Sequence, residues 1–368
     1  MTKQTIMLCA GGTGGHVFPA LSLAKDLLSR DCNVVFLTDE RAIKYVRDKY
    51  DDMTVCVIPS STIPAGLMGK IKGIALLGRG YLKSRQLINK YKPRLVIGFG
   101  GYPSLPPMVA AQQKDIITII HEQNAILGKA NAYLAPKADR IALSLPDLSS
   151  LDETDAMRAV VTGNPVRSEI SDLYSHPYNA PDEGGPFNLF VMGGSLGAKV
   201  MAKYVPEALS QLPENLRVRI NVVQQCHKED IPAMQDAYVN AGISSTLKPF
   251  FDNVPEILKK THLVIARSGA STVAELSVAG VPAIYIPYPH HADQQQKVNA
   301  ESISTHGGAW VMEEKNLSAE SLNAKLADLM RSPQILFQAA DAARSNAKPE
   351  ATRKLGNLAI ALVKGWDK

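Results

Sequence analysis

The sequence predicts two α/β domains in tandem, each built on a parallel sheet, and three observations predict it. Short β-branched runs, apolar throughout instead of alternating, recur between helical patterns, as strands covered by helices on both faces require. A strand, glycine-loop and helix unit opens the chain as "IMLCAGGTGGHVFPALSLAKDLL" and returns near the middle as "LFVMGGSLGAKVMAKYVPEAL". A chain of 368 residues also exceeds what one core ordinarily serves.

In chain order, the first series of strands is predicted over 5–10, 33–38, 54–58, 94–99, 116–121, 140–143 and 160–162. The second covers 188–192, 217–224, 246–249, 263–266, 283–286 and 310–312. Between them "SHPYNAPDEGGPF", 175–187, reads as a loop near the domain junction because of its prolines and glycines. Pro19 suits the first turn of the opening helix, where Leu21, Ala24 and Leu28 share a face.

Composition narrows the class of function. At 45% hydrophobic and 20% charged the chain has ample material for a core, and no apolar stretch approaches the roughly 20 residues of a spanning helix. The brief apolar run at 5–10 is too short for a signal-peptide core. Cys9, Cys32, Cys56 and Cys226 have neither metal-ligand nor redox spacing, so a reducing cytoplasm is the expected setting. A net charge of +5 is too small to imply nucleic acid, and none is expected as a partner.

Glycines after a first strand permit positive φ and close approach of a ligand, and the helix that follows offers N–H groups to an anion, usually phosphate. Neither loop spells the dinucleotide fingerprint, yet Asp39 stands at the end of the second strand where a ribose-binding acid belongs. A nicotinamide-dependent oxidoreductase is therefore the alternative function. A third unit, "LVIARSGASTVAELSVAGVPAIYIPYPHHADQQQKVNAE", places Glu275 early on a helix, either as acceptor for sugar hydroxyls or as partner of the helix dipole. Gln295, Gln296 and Asn299 add amides suited to ribose or hexose. His290, His291 and Asp293 are consecutive loop residues that rarely converge on one ion, and no metal site is expected.

Seven stretches, "GGTGGHVFPALSLA", "GFGGYPSLPPMVAA", "HEQNAILGKAN", "VTGNPVR", "VMGGSLGA", "ARSGASTVAEL" and the run from Asp293 to Ala300, resemble a bacterial family in order over nearly the whole chain. That family is the lipid II-forming UDP-N-acetylglucosamine:N-acetylmuramyl-(pentapeptide) pyrophosphoryl-undecaprenol N-acetylglucosamine transferases. The resemblance implies a GT-B fold, two Rossmann-like domains with parallel sheets facing across a cleft. It divides the chain into 1–166, an acceptor and membrane-associating domain completed by a helix at 350–368, and 167–349, a domain for UDP-N-acetylglucosamine.

It further implies donor contacts from Thr13, Gly14, Gly15, Asn124, Arg167, Ser195, Phe251, Ala270, Ser271, Thr272, Val273, Ala274, Glu275, Gln295 and Gln296. Phe251 would contact uracil largely through its backbone. Tyr102, Glu122 and Asn131 stand on the acceptor side, and Glu122 serves either the acceptor or the order of its own loop. No cofactor is expected. Transfer needs a base for the acceptor hydroxyl, and His16 is either that base or a phosphate and backbone contact. The acceptor is undecaprenyl-linked lipid I, met at the cytoplasmic face of the plasma membrane, with other cell-wall synthesis proteins as further partners.

The segment "GLMGKIKGIALLGRGYLKSRQLINKYKPR", 66–94, concentrates positive charge without one acidic residue. Lys70, Lys72, Arg79 and Lys83 interleave there with Leu76, Leu77 and other apolar residues. Such a segment is either a patch that docks on anionic lipid or an ordinary helix with a solvated face.

Overall fold

Strands buried on both faces need apolar residues at every position, and the chain supplies them. The computed structural model describes residues 3–60, 66–146, 151–290 and 293–365, the side chains of Leu67 and of 194–198 excepted. It divides into two compact units, Met1–Arg167 with Lys348–Lys368 and Ser168–Ala347. The divisions expected from the sequence lay one to two residues away, at 166/167 and 349/350.

In the first unit, β1 (Thr5–Cys9), β2 (Asn33–Thr38), β3 (Met53–Val57), β4 (Leu95–Gly98), β5 (Ile117–Glu122), β6 (Arg140–Leu143) and β7 (Ala159–Val161) form one sheet. Their order is β3-β2-β1-β4-β5-β6-β7 and every pairing is parallel. Every residue of β4 and β5 is buried. The helix Gly14–Ser29 packs on the sheet through Val17, Ala20, Leu23 and Leu27, and the last helix, Ala351–Gly365, joins the same core through Leu355, Ala359 and Val363. Pro19 lies inside the first helix, past its first turn, because helical geometry already starts at Gly14 among the glycines.

The second unit repeats the plan with β8 (Phe187–Met192), β9 (Ile220–Gln225), β10 (Ser244–Lys248), β11 (Leu263–Ala266), β12 (Ala283–Tyr285) and β13 (Ala309–Val311). The order is β10-β9-β8-β11-β12-β13, again all parallel. The strand predicted over 217–224 begins late, since Glu214–Arg217 forms a helical turn entered through Pro213 and Val218 is 65% exposed. At the edge, β10 alternates exposed and half-buried residues, as an edge strand does.

Candidate active site

In a doubly wound sheet the crossovers leave the first strand on one side and the fourth on the other, opening a crevice above their carboxyl ends. In the first unit that place is between β1 and β4. After β1 the chain turns at Gly12, whose φ of +80 favours glycine, and the Gly12 N–H donates to Asp39 Oδ1 at 3.0 Å. Asp39 is buried, and its Oδ2 accepts from Arg41 Nε at 2.7 Å. The acid read as a possible ribose ligand thus ties down the glycine loop from below. Thr13, exposed, is the N-cap of the helix that Gly14, Gly15 and His16 begin.

The chain leaving β4 supplies the opposite wall. Gly100 and Gly101 have φ of +78 and +71, and a Cβ on Gly101 would stand 3.3 Å from His16 Cδ2. Two bare residues thereby leave room for the imidazole. Tyr102, half-buried, follows them. His16 Nδ1 lies 3.0 Å from Gln123 Oε1, and Gln123 Nε2 lies 3.0 Å from Nδ1 of the buried His121. Burial lowers the His121 pKa to about 4, against a hydrogen bond with the Gly163 carbonyl that raises it.

Glu122 is buried and accepts four hydrogen bonds. Oε1 takes the backbone and side-chain N–H groups of Asn124 at 3.0 and 3.1 Å, and Oε2 takes Gly128 N–H at 2.9 Å and Asn131 Nδ2 at 2.8 Å. Of its two expected roles the geometry favours order of its own loop, since its lone-pair sites are occupied. Asn131 also donates to the His121 carbonyl at 3.1 Å. The half-buried Arg167 holds its guanidinium 5.7 Å above the Phe18 ring.

In the second unit the equivalent reversal lies between β8 and β11. The expected glycine loop at 193–197 is almost wholly helical: the helix Gly194–Ser210 starts two residues after β8, with Ser195 in its first turn. The side chain of Ser195 lies outside the described residues. After β11 the helix Ala270–Ala279 begins at Gly269 and its ladder opens with Val273 N–H donating to the Gly269 carbonyl at 3.0 Å. The amides of Ala270, Ser271 and Thr272 precede that ladder, as in an anion-binding terminus. Val273 is itself core, leaving only its backbone for a ligand, whereas Ala274 is half-buried and Glu275 is 9% exposed.

Gln296 Oε1 accepts the Tyr288 N–H at 3.0 Å, while Gln295 Nε2 donates to Asp293. Phe251 is buried edge-on against Phe190, and Phe250 is the exposed member of the pair. His290 meets Tyr288 edge-on, His291 lies outside the described residues, and no group of three potential metal ligands is found among the described residues.

Besides Gln123, three residues of this unit and the first were missed by sequence reasoning. Arg267, buried, donates to the carbonyls of Ile286 and Pro287 at 2.9 and 3.0 Å and pairs with Glu314 at 2.8 Å, fixing the segment that carries Tyr288. Ser268 hides a hydroxyl with no partner among the described residues, and Asn164 hides both amide atoms in the same condition. Arg267 and Ser268 stand beside the strand end in "ARSG" and Asn164 in "TGNP", so their positions were the available signal.

Residues 6–143 match the glycosyltransferase family 28 N-terminal domain and residues 188–355 the family 28 C-terminal domain. The UDP-N-acetylglucosamine–N-acetylmuramyl-(pentapeptide) pyrophosphoryl-undecaprenol N-acetylglucosamine transferase of Rhodospirillum centenum is 45% identical over 98% of this chain and 95% of its own. The protein of that name from Sinorhizobium fredii is 44% identical over 99% and 97%. The crystal structure of Acinetobacter baumannii MurG superposes with a TM-score of 0.77 at 30% identity, covering 96% of this chain and 98% of that one. These likenesses overturn the oxidoreductase alternative, and Asp39 shows why it misled: its carboxylate serves the loop and Arg41. With matches spanning both halves and nearly every residue, the chain belongs to the UDP-N-acetylglucosamine–N-acetylmuramyl-(pentapeptide) pyrophosphoryl-undecaprenol N-acetylglucosamine transferase family and has the GT-B fold.

Proposed function

We propose that this chain is the enzyme that moves N-acetylglucosamine from UDP-N-acetylglucosamine to the C4 hydroxyl of the muramyl sugar in undecaprenyl-pyrophosphoryl-linked lipid I, giving lipid II. Beyond kinship, one observation supports the chemistry: a histidine in the first helical turn at the β1–β4 crevice, faced by two glycines. His16 takes the acceptor hydroxyl proton as that oxygen bonds to the anomeric carbon, and the bond from that carbon to the β-phosphate oxygen breaks, releasing UDP. A single displacement of this kind inverts the anomeric centre. In the second unit the helix starts after β8 and β11 bear the negative charge growing on the pyrophosphate, and Glu275 accepts from hexose hydroxyls. No metal or cofactor takes part.

The acceptor is read onto the first unit. A cavity of about 870 Å³ there lies between the turn Asp39–Arg41 and the helix face that bears Arg79 and Lys83. Labelled UDP-N-acetylglucosamine with a lipid I analogue should yield the labelled disaccharide. Absence of transfer with authentic substrates, together with tight nicotinamide nucleotide binding, would sink the reading.

We place the chain peripherally on the cytoplasmic face of the inner membrane, beside other cell-wall enzymes, a reading that the helix Leu67–Tyr91 supports. Met68 is 80% exposed, Ile71 56% and Ile74 62%, while Lys70, Lys72, Arg79 and Lys83 are exposed and Leu76 and Leu77 half-buried. The buried face is instead Gly73, Gly80, Ser84, Leu87 and Ile88. Apolar residues turned outward among cations suit an anionic bilayer, each cation contributing on the order of 1 kcal/mol. Among the described residues no helix is long and apolar enough to cross a membrane. Replacing the four cations with Gln should weaken vesicle binding and turnover on embedded acceptor yet spare a short-chain soluble one. Binding that is unchanged and indifferent to salt would mark an ordinary helix surface.

A further inference from the structure

Backbone carbonyl oxygens only accept hydrogen bonds, so each one fixes the direction of the bond it joins. Two of them bracket the group behind His16. The Gly163 carbonyl stands 3.1 Å from His121 Nε2, so Nε2 carries the proton of that ring. His121 is fully buried and neutral at pH 7, its pKa lowered to about 4 by burial, and its Nδ1 is therefore an acceptor. Gln123 Nε2 lies 3.0 Å from that Nδ1 and 3.2 Å from the His121 carbonyl. Both neighbours accept, so the amide nitrogen belongs on this side and the amide oxygen faces away. That oxygen is 3.0 Å from His16 Nδ1.

We infer that Gln123 and His121 are positioning residues that hold the His16 proton on Nδ1 and leave the Nε2 lone pair bare for the acceptor's proton. The inference rests on the reading of His16 as the base and deepens it. An amide oxygen has no proton to offer, so Nδ1 must donate, and a neutral imidazole with Nδ1–H has an unprotonated Nε2. Nε2 belongs to the edge nearest Gly101, where even an added Cβ would stand 3.4 Å away.

Catalytic triads assign this task to a carboxylate, which also favours the imidazolium. Here the orienting group is neutral. The one carboxylate next in sequence, Glu122, is engaged by Asn124, Gly128 and Asn131. The tautomer is thus set through a chain of dipoles ending on the Gly163 carbonyl, and the base gains its orientation from a neutral amide.

The test is nitrogen-15 spectroscopy of the full chain carrying ring-labelled histidine, with His16→Gln and His121→Gln used to assign the two signals. At pH 8 the two rings should show opposite tautomers: His16 protonated on Nδ1 and His121 on Nε2. Gln123→Met, similar in length but without hydrogen bonds, should mix the His16 tautomers and lower kcat about tenfold to a hundredfold, with KM for UDP-N-acetylglucosamine within about twofold. A wild-type His16 protonated on Nε2, the same tautomer on both rings, or an unchanged kcat in Gln123→Met would overturn the inference. Should that variant not fold, the wild-type spectrum decides alone. Retained turnover in His16→Ala is a separate result, which removes the base and leaves the tautomer measurement standing.

Discussion

The two sheets share one strand order over six strands, to which the first adds β7, and they differ in what they set at the point where that order reverses. Above β1 and β4 stand an imidazole, an amide and glycines with positive φ, which the proposed function reads as a place to steer one proton. After β8 and β11 two helices begin, the second carrying Glu275, which the proposed function reads as a place for anion and hydroxyl. Topology decides where a ligand is received, and the few residues after each strand decide which chemistry meets it. Duplicated architecture therefore says little about duplicated function.

The sharpest way to break this contrast is His16→Ala. Turnover should fall by about 10²- to 10⁴-fold, the usual contribution of a general base, while UDP affinity measured by calorimetry hardly changes. A large loss of UDP binding with a modest loss of rate would move the histidine to the phosphate.

Gly163→Ala comes next. Its φ is +85, and the added Cβ would lie 2.6 Å from Lys348 Cβ and 2.9 Å from Ala351 Cβ. We expect a loss of about 2–4 kcal/mol, from left-handed strain plus overpacking, read as a lower midpoint in urea. An unchanged midpoint would mean that the returning segment is not held against this turn.

Acid should act on the first unit through His121. His121 has a folded pKa of about 4 against 6.5 when free, so its stabilising contribution is complete above pH 6.5 and is lost as pH falls through 4. The span corresponds to about 3 kcal/mol at 1.36 kcal/mol per pKa unit. Thermal unfolding of the wild type between pH 7 and 4 should therefore fall more steeply than that of His121→Gln. Parallel curves would show that the ring is not buried neutral.

The smallest expected effect is on the donor side. Glu275→Ala should weaken UDP-N-acetylglucosamine by roughly 1.5–3 kcal/mol, as charged hydrogen bonds do, and leave UDP alone. Equal losses for both ligands would point to damage in the helix Ala270–Ala279.

Most of the architecture was legible because its signal is local. Buried parallel strands announce themselves as apolar runs such as Leu95–Gly98, and the repeated unit announces the second domain. Where local signals compete the reading slipped: Val218 looks like a strand residue but follows a helical turn, and the bare stretch after β8 looks like a loop but is helix. Candidate site residues were picked out where their chemistry is conspicuous, as with His16 and Glu275. Gln123 was passed over between His121 and Asn124 because a glutamine has no chemistry of its own. Its meaning lies in a partner 107 positions away in the chain. Asp39 failed in the opposite sense, since a carboxylate at a strand end says nothing of which backbone N–H it will meet.

The first unit is closed by its last helix, with the whole of Ser168–Ala347 lying between in the chain. On the ribosome this imposes an order of events. While those residues are being made, for roughly ten to forty seconds at about 5–20 residues per second, the part of the first core that Leu355, Ala359 and Val363 will cover has no lid of its own chain. The second unit is uninterrupted and can be packed before the first is finished. Synthesis order and completion order are thus reversed.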